Sequence, residues 1–432
     1  MTSTTVGSAG QGTASVRGNP QAVPGASLGP LSSSPAKSSY DVVIIGGAIM
    51  GSSAAWFLSD NPDFNGSILV VERDPSYAHA ATAHTNSCMR QQFSTALNVQ
   101  ISQFCAHFVK HLRNYMGGDA RVPELGIQNY GYLYLADDQG FADVLRENQK
   151  IRRAAGADTR LLDRNQIAAA YPFYALYDIV LGSINTKDEG YFDGGALFEW
   201  LRRGARARGA EYVAGEVVAI EKTARGDRVC GVTLKSGARV SCGAVVNASG
   251  PRAVQVARMA GLDPPIEPRK RFSWVFSAAH PLDRDLPLTI DPSGVHMRQD
   301  GPQTYLAGCA AHPDLAVDYD DFQMDHALWE GHVWPILATR IPQFEAIRVI
   351  AEWAGHYDYN TVDQNAILGP HPEVENFLFL NGFSGHGLQQ APAMGRGIAE
   401  WLTCGEYRAL DLTPFAYDRI AEGRALVERA VI

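Results

Sequence analysis

From Tyr40 onward the chain alternates short apolar runs with turns of small residues. The first run, Val42–Ile45, is continuous and β-branched, which predicts a strand buried on both faces. A turn of small residues follows, then a helical pattern through Leu58, then a second strand in SILVVERD. Further on, EYVAGEVVAIE…GVTLKSGARVSCGAVVNASGPRA reads as strand–turn–strand, ending in a buried strand at Ala244–Asn247 and a turn at Gly250. RFSWVFSA, VHMRQ and TYLAGCA have strand character and predict an antiparallel sheet. Close to the end, GFSGHGLQQAP leads into a helix expected over roughly residues 391–402.

The first turn carries chemistry. Gly46-Gly47-Ala48-Ile49-Met50-Gly51 joins a buried strand to a helix, and Glu72 ends the next strand 21 positions after Gly51. Small residues let backbone N–H groups and a helix N-terminus approach a pyrophosphate, and an acid at that distance hydrogen-bonds an adenosine ribose. Ala48 stands where the plain fingerprint has its second glycine; its methyl group is tolerable if the turn keeps a negative φ. The alternative is a glycine-rich turn that holds nothing. A polar stretch, residues 75–95, then interrupts the βα alternation, a pattern more typical of flavoproteins than of simple NAD dehydrogenases.

Composition bounds the picture. The chain has 432 residues, 46% of them hydrophobic, and a net charge of −9, which leaves no basic excess for nucleic acid. Its six cysteines show neither CxxC nor metal-ligand spacing, so reduced thiols, no metal and a reducing compartment are expected. Residues 1–39 are rich in Ser, Gly, Pro and Ala and read as a disordered tail, with a transit peptide as the alternative. No segment reads as transmembrane, because Gly and Ser pairs interrupt the most apolar stretch, residues 42–58. These features point to a cytoplasmic protein; the alternative is the mitochondrial matrix or the periphery of the inner membrane.

DVVIIGGAIMG, VVERD, RQQFS, VVNASG and GFSGHGLQQAP together resemble the D-amino-acid oxidase/sarcosine oxidase superfamily of FAD-dependent oxidoreductases. EPRKRF and WAGHYDYNTVDQNAILGPHP narrow the resemblance to a group of bacterial proteins related to a mitochondrial FAD-dependent oxidoreductase domain-containing protein linked to complex I assembly. The resemblance spans roughly residues 40–425. It implies an α/β protein in which a discontinuous Rossmann-like FAD-binding domain (40–115, 188–255, 358–425) accompanies a substrate domain with an antiparallel sheet (116–187, 256–357). FAD is the implied cofactor. Gly46, Gly47, Ala48, Met50 and Gly51 would face its pyrophosphate, and Glu72 its ribose with Arg73 alongside. Val217, Val218 and Gly250 would complete the nucleotide end, and Gly382, Ser384, Gly385, Gly387 and Leu388 would cover the flavin.

The same resemblance names candidates for chemistry. Arg90 matches an arginine that pairs with the substrate carboxylate in sarcosine oxidases; the alternative is a structural arginine. Gln389 stands where those enzymes hold a lysine, and no lysine follows Lys270, so a substrate other than sarcosine is expected. His84 and, by looser alignment, His356 are positions where relatives attach flavin covalently, although non-covalent FAD is the expectation here. Tyr357, Tyr359 and His386 would lie near the flavin or the pocket entrance. Arg269-Lys270-Arg271 is either a solvated strand end or an attractor for an anionic substrate, and Asp363 would cap a turn. The expected reaction is oxidation of a C–N bond in an amino acid or secondary amine (N-alkyl, opine-like or imino acid) by hydride transfer to flavin N5. The acceptor stays open among O2, a quinone and an electron-transfer protein. The rival reading is a flavoprotein assembly factor for a respiratory complex, with little or no turnover.

Overall fold

The computed structural model describes residues 29–429. Its first sheet has a parallel core in the order Val374–Asn381, Arg239–Asn247, Ser39–Ile45, Ile68–Glu72, Glu211–Ala214. Ile367–His371 extends one edge antiparallel, and the hairpin Val217–Lys222/Val229–Leu234 pairs with Arg239–Asn247. Both faces of the central strand are covered, which is why its sequence is continuously apolar. Val42 and Ile44 join the core beneath helices Ile49–Asp60 and Gly387–Cys404, while Val43 and Ile45 pack on the opposite side with Ala253, Val254 and Val256. Each such side chain contributes about 1.5–3 kcal/mol by leaving water.

The second sheet runs Ile347–Asn360, Ile266–Ala278, Thr304–Ala310, His296–Gln299, Leu288–Ile290, Tyr132–Ala136, Leu181–Asn185, Arg160–Leu162. All neighbours are antiparallel except Leu288–Ile290 with Tyr132–Ala136. Phe272, Trp274 and Phe276 put one face of its longest strands into a separate core. The opposite face of the Ile266–Ala278 strand is turned toward the first sheet, and the functional cleft lies between the two.

Two expectations need correction. Residues 1–28 of the expected tail lie outside the described residues, but Gly29–Ser38 are seated on the first sheet. Ser32 bridges Val213, the Ala214 N–H donates to the Ser32 carbonyl at 2.7 Å, and the Ala36 N–H donates to Glu211 at 2.7 Å. The edge strand Glu211–Ala214 thus pairs its Ala214 N–H and its Glu211 carboxylate with this segment. The C-terminal helix also begins at Gly387, not near 391, and carries Pro392 inside it as its sixth residue, at the loss of the one bond an N–H there would make to the Leu388 carbonyl. Gln389 and Gln390 are therefore helical residues.

Candidate functional site

A single cleft of about 290 Å³ gathers most of the predicted positions; the next cavity holds about 10 Å³. Its nucleotide end is made of main chain. Gly46 has φ +100° and a Cβ on it would lie 2.4 Å from the Ala248 carbonyl oxygen; a Cβ on Gly51 would lie 1.8 Å from the Gly46 oxygen. Ala48 keeps φ −69°, so its methyl group fits, and as the N-cap of helix Ile49–Asp60 it offers no side-chain cap. No acidic residue occupies the first turn, which leaves that helix end free for an anion. Glu72 accepts the Gly47 and Asp74 N–H groups, both at 2.8 Å. Burial raises its pKa, and those two donors oppose the rise. This cradle, which any side chain at Gly46 or Gly51 would fill, fits the pyrophosphate and ribose of FAD. Met50, Arg73, Val217 and Gly250 line the same cleft. Gly47 lies just behind, packed on Val70, Glu72 and the Tyr77 hydroxyl. Val218 does not belong: strand alternation turns it outward, 44% exposed.

The opposite end is closed by residues 382–389. Asp358 holds this loop, accepting the Gly382 N–H at 2.7 Å on its carboxylate and the Ser384 N–H on its main-chain oxygen. Ser384 adopts φ +49°, and its hydroxyl accepts the Asn360 N–H at 3.0 Å. A Cβ on Gly385 would strike the Tyr357 ring at 2.4 Å, so glycine lets the loop lie flat against that ring. Gly387 meets Met50 across the cleft, so the N-termini of helices Ile49–Asp60 and Gly387–Cys404 open on one space. Ser384, Gly385, Gly387 and Leu388 line it, whereas Gly382 supplies the turn behind. Beneath the loop Asp363, fully buried, pairs with Arg419 at 2.7 and 3.0 Å and accepts from Asn360 and Leu426, a structural rather than chemical role.

Arg90 reaches the cleft wall, but its guanidinium is 2% exposed and already engaged. One terminal nitrogen donates to the Gln92 carbonyl, the other lies 2.7 Å from His386 Nε2, and the Phe93 ring is 4.1 Å from the guanidinium carbon. One N–H of each terminal nitrogen is therefore engaged, by uncharged partners. Burial and the Arg90 charge push the His386 pKa well down, so its Nε2 is an acceptor. Gln389 turns its Oε1 to the Arg90 N–H at 2.8 Å, tying two segments far apart in the chain. Gln389 thus supports the wall where a lysine would have brought charge.

His84 and His356 frame a different corner. Phe322 stacks on His356 at 4.4 Å and 13°, and lies 5.7 Å from His84. His84 Nδ1 is buried with no partner among the described residues, and His356 Nε2 donates to the Asp321 carbonyl at 2.8 Å. Phe322 belongs to an acidic strap, residues 312–325, that crosses the cleft. Asp314 grips Arg271 at 2.8 and 3.1 Å, Asp320 pairs with Arg252 at 2.5 Å, and Asp321 pairs with Lys270 at 2.7 Å. Arg269 pairs with Glu267 at 2.9 Å and stacks on Tyr359 at 4.2 Å. The basic cluster is thus neither a solvated strand end nor a set of free charges; it holds the strap down.

Sequence reasoning missed Asp358, Tyr77, His296 and the strap. Asp358 lies inside a quoted motif, but its partner is 24 residues away. Tyr77, at φ +57°, places its hydroxyl against Gly47. A tyrosine in left-handed conformation has no linear signature.

The profile of the DAO family, FAD dependent oxidoreductases, matches residues 41–401. The chain is 35% identical over 424 residues to FAD-dependent oxidoreductase domain-containing protein 1 of Xenopus laevis, covering 91% of this chain and 85% of that protein. Sarcosine oxidase subunit beta of Rhizobium meliloti is 24% identical over 398 residues, 91% of each chain. Among solved structures, L-proline dehydrogenase of P. horikoshii superposes with a TM-score of 0.77 at 24% identity, covering 89% of this chain and 98% of that one.

Proposed function

Because the chain belongs to the DAO family of FAD-dependent oxidoreductases, we propose that it oxidises a C–N bond in a small carboxylate-bearing amine. N-alkyl amino acids, opine-like compounds, imino acids and amino acids are the classes considered. The observation that carries the reading is the cleft itself. Two helix N-termini open on it, and beyond the flavin loop the lumen is walled by aromatic rings, imidazoles and guanidiniums.

Bound FAD supplies the two-electron acceptor for the hydride that leaves the substrate α-carbon. Gly46–Gly51, Glu72 and the Gly385–Leu388 segment would hold it. Tyr357 and Tyr132 would flank the substrate and exclude water while the amine lone pair forms the C=N bond. Neutral His386 takes no proton at physiological pH, since burial and Arg90 oppose its charging. Hydride loss requires the amine unprotonated, and the imine product hydrolyses to a carbonyl compound and an amine. Family names at 23–24% identity, 4-methylaminobutanoate oxidase and sarcosine oxidase, support secondary amines as the class.

The test is anaerobic mixing of holoprotein with a panel of secondary and primary amino acids. Bleaching of the band near about 450 nm by at least one member is expected. Failure of a broad panel to bleach it would leave a flavoprotein without amine turnover and overturn the reading.

A further inference from the structure

In the second sheet, Ser273, Gly308 and His296 are cross-strand neighbours on three adjacent strands, so all three share one face. Arg271, two residues before Ser273, shares it too. Gly308 carries no side chain, and a Cβ there would lie 2.7 Å from the His296 ring. That gap lets the imidazole lie across the sheet toward Asn86, and Arg271, Ser273, His296 and Asn86 all line the cleft.

The hydrogen bonds fix the orientation of these groups. Ser273 Oγ lies 3.3 Å from Asn86 Oδ1, and Asn86 Nδ2 lies 2.7 Å from His296 Nε2. The amide nitrogen donates, so His296 Nε2 accepts and the ring proton sits on Nδ1. His296 is 5% exposed, and its Nδ1 has no partner among the described residues. Arg271 is 8% exposed; its two terminal nitrogens face Asp314 on the outer strap, while its Nε also lacks a partner. Two buried donors thus stand unmatched on one face, each at a cost of about 1–3 kcal/mol. Among the described residues the carboxylates lining the cleft are Glu72, Asp74 and Glu216 at the nucleotide end and Asp358, committed to the loop. What the face lacks is an acceptor that donates nothing.

We infer that Arg271 and His296, the latter oriented through Asn86 by Ser273, form a pole that receives the substrate's carboxylate. The inference rests on the amine-oxidation reading for the identity of the ligand, but not for the geometry of the pole. A carboxylate oxygen accepts from Arg271 Nε and His296 Nδ1, while the Ser273 hydroxyl donates to Asn86 Oδ1 and so fixes the amide that sets the His296 tautomer. The guanidinium is held in place by Asp314 on one side and by the Tyr357 ring, 4.6 Å away, on the other.

The test titrates acetate and malonate, with acetamide as the uncharged control, into FAD-loaded protein. The readouts are the shift of the flavin spectrum and calorimetric heat. Wild type should bind both anions and not acetamide. Arg271→Gln should raise their Kd roughly ten-fold or more, equivalent to about 1.4 kcal/mol, with FAD content unchanged. Arg271→Lys should recover part of the loss. If Arg271→Gln does not fold, Asp314→Asn and His296→Phe carry the test. The first frees the guanidinium fork and should tighten anion binding; the second should weaken it. Absence of anion binding to wild type, or a Kd unchanged within about two-fold in the folded variants, overturns the pole. Anion binding that follows Arg271 without any amine bleaching the flavin would defeat the amine reading and keep the pole. Bleaching by amines with KM unchanged in Arg271→Gln would do the reverse.

Discussion

At the nucleotide end of the cleft, what a ligand meets is mostly main chain: the turn Gly46–Gly51, the uncapped N-terminus of helix Ile49–Asp60, and the Glu72 carboxylate, already held by N–H groups. At the substrate end it meets side chains from separate segments: Arg90 from a loop, Arg271 and Ser273 from one strand, His296 from another, Tyr357 from a third. The first end is set by where side chains are missing, the second by where they point. A backbone cradle tolerates almost no substitution at its glycines, whereas a side-chain pocket can change its preference one residue at a time. That division suits one cofactor shared by a family whose substrates differ.

The sharpest way to break the comparison is at the cradle. Gly51→Ala places a methyl group 1.8 Å from the Gly46 oxygen, and a loss of more than about 4 kcal/mol is expected, seen as little soluble holoprotein and no bound FAD. A soluble, yellow Gly51→Ala protein would mean the turn is not the rigid element described. Next comes the ion pair below the flavin loop. Asp363→Ala strands the Arg419 guanidinium, 2% exposed, and should cost about 3–5 kcal/mol in chemical denaturation.

A smaller effect separates the loop's anchor from both ends. Burial raises the Asp358 carboxyl to about 6 from an ordinary 3.8. Because the folded value is the higher one, its contribution to stability is complete below about pH 3.8 and is lost as pH rises through about 6. Wild type should therefore lose roughly 1 kcal/mol between about pH 5 and 7 that Asp358→Asn does not lose. Parallel pH profiles for the two proteins would place the charge elsewhere. The smallest effect concerns the strap, whose Asp320 is 69% exposed in its pair with Arg252. Salt near about 1 M should speed FAD release by no more than a few-fold, and Asp320→Asn should remove most of that dependence.

How much of this was legible in the sequence follows the same division. Gly46, Gly51 and Glu72 lie within one βαβ stretch, so their spacing reports their geometry. GFSGHGLQQAP likewise marks a tight loop, although the helix starts at Gly387, four residues before the expected 391. The substrate end was not legible. Arg90 is a cleft residue as expected, yet Gln92 and His386 each take one N–H of the guanidinium, which no motif foretells. Arg271 reads as one of three cations, either a solvated strand end or an attractor for an anionic substrate; only the strap pairing shows which edge of it stays unmatched. His296 carried no motif, because its role depends on a glycine in the neighbouring strand.

The proposed reaction of this cleft is oxidation of an amine that also carries a carboxylate. Stopped-flow reduction under anaerobic conditions tests it with matched pairs: the amino acid that best bleaches the flavin, and the same amine without its acid group. The acid-bearing partner is expected to reduce the flavin at least about a hundred-fold more efficiently, a difference of about 2.7 kcal/mol. Equal efficiencies within each pair, or reduction by the bare amine alone, would contradict it.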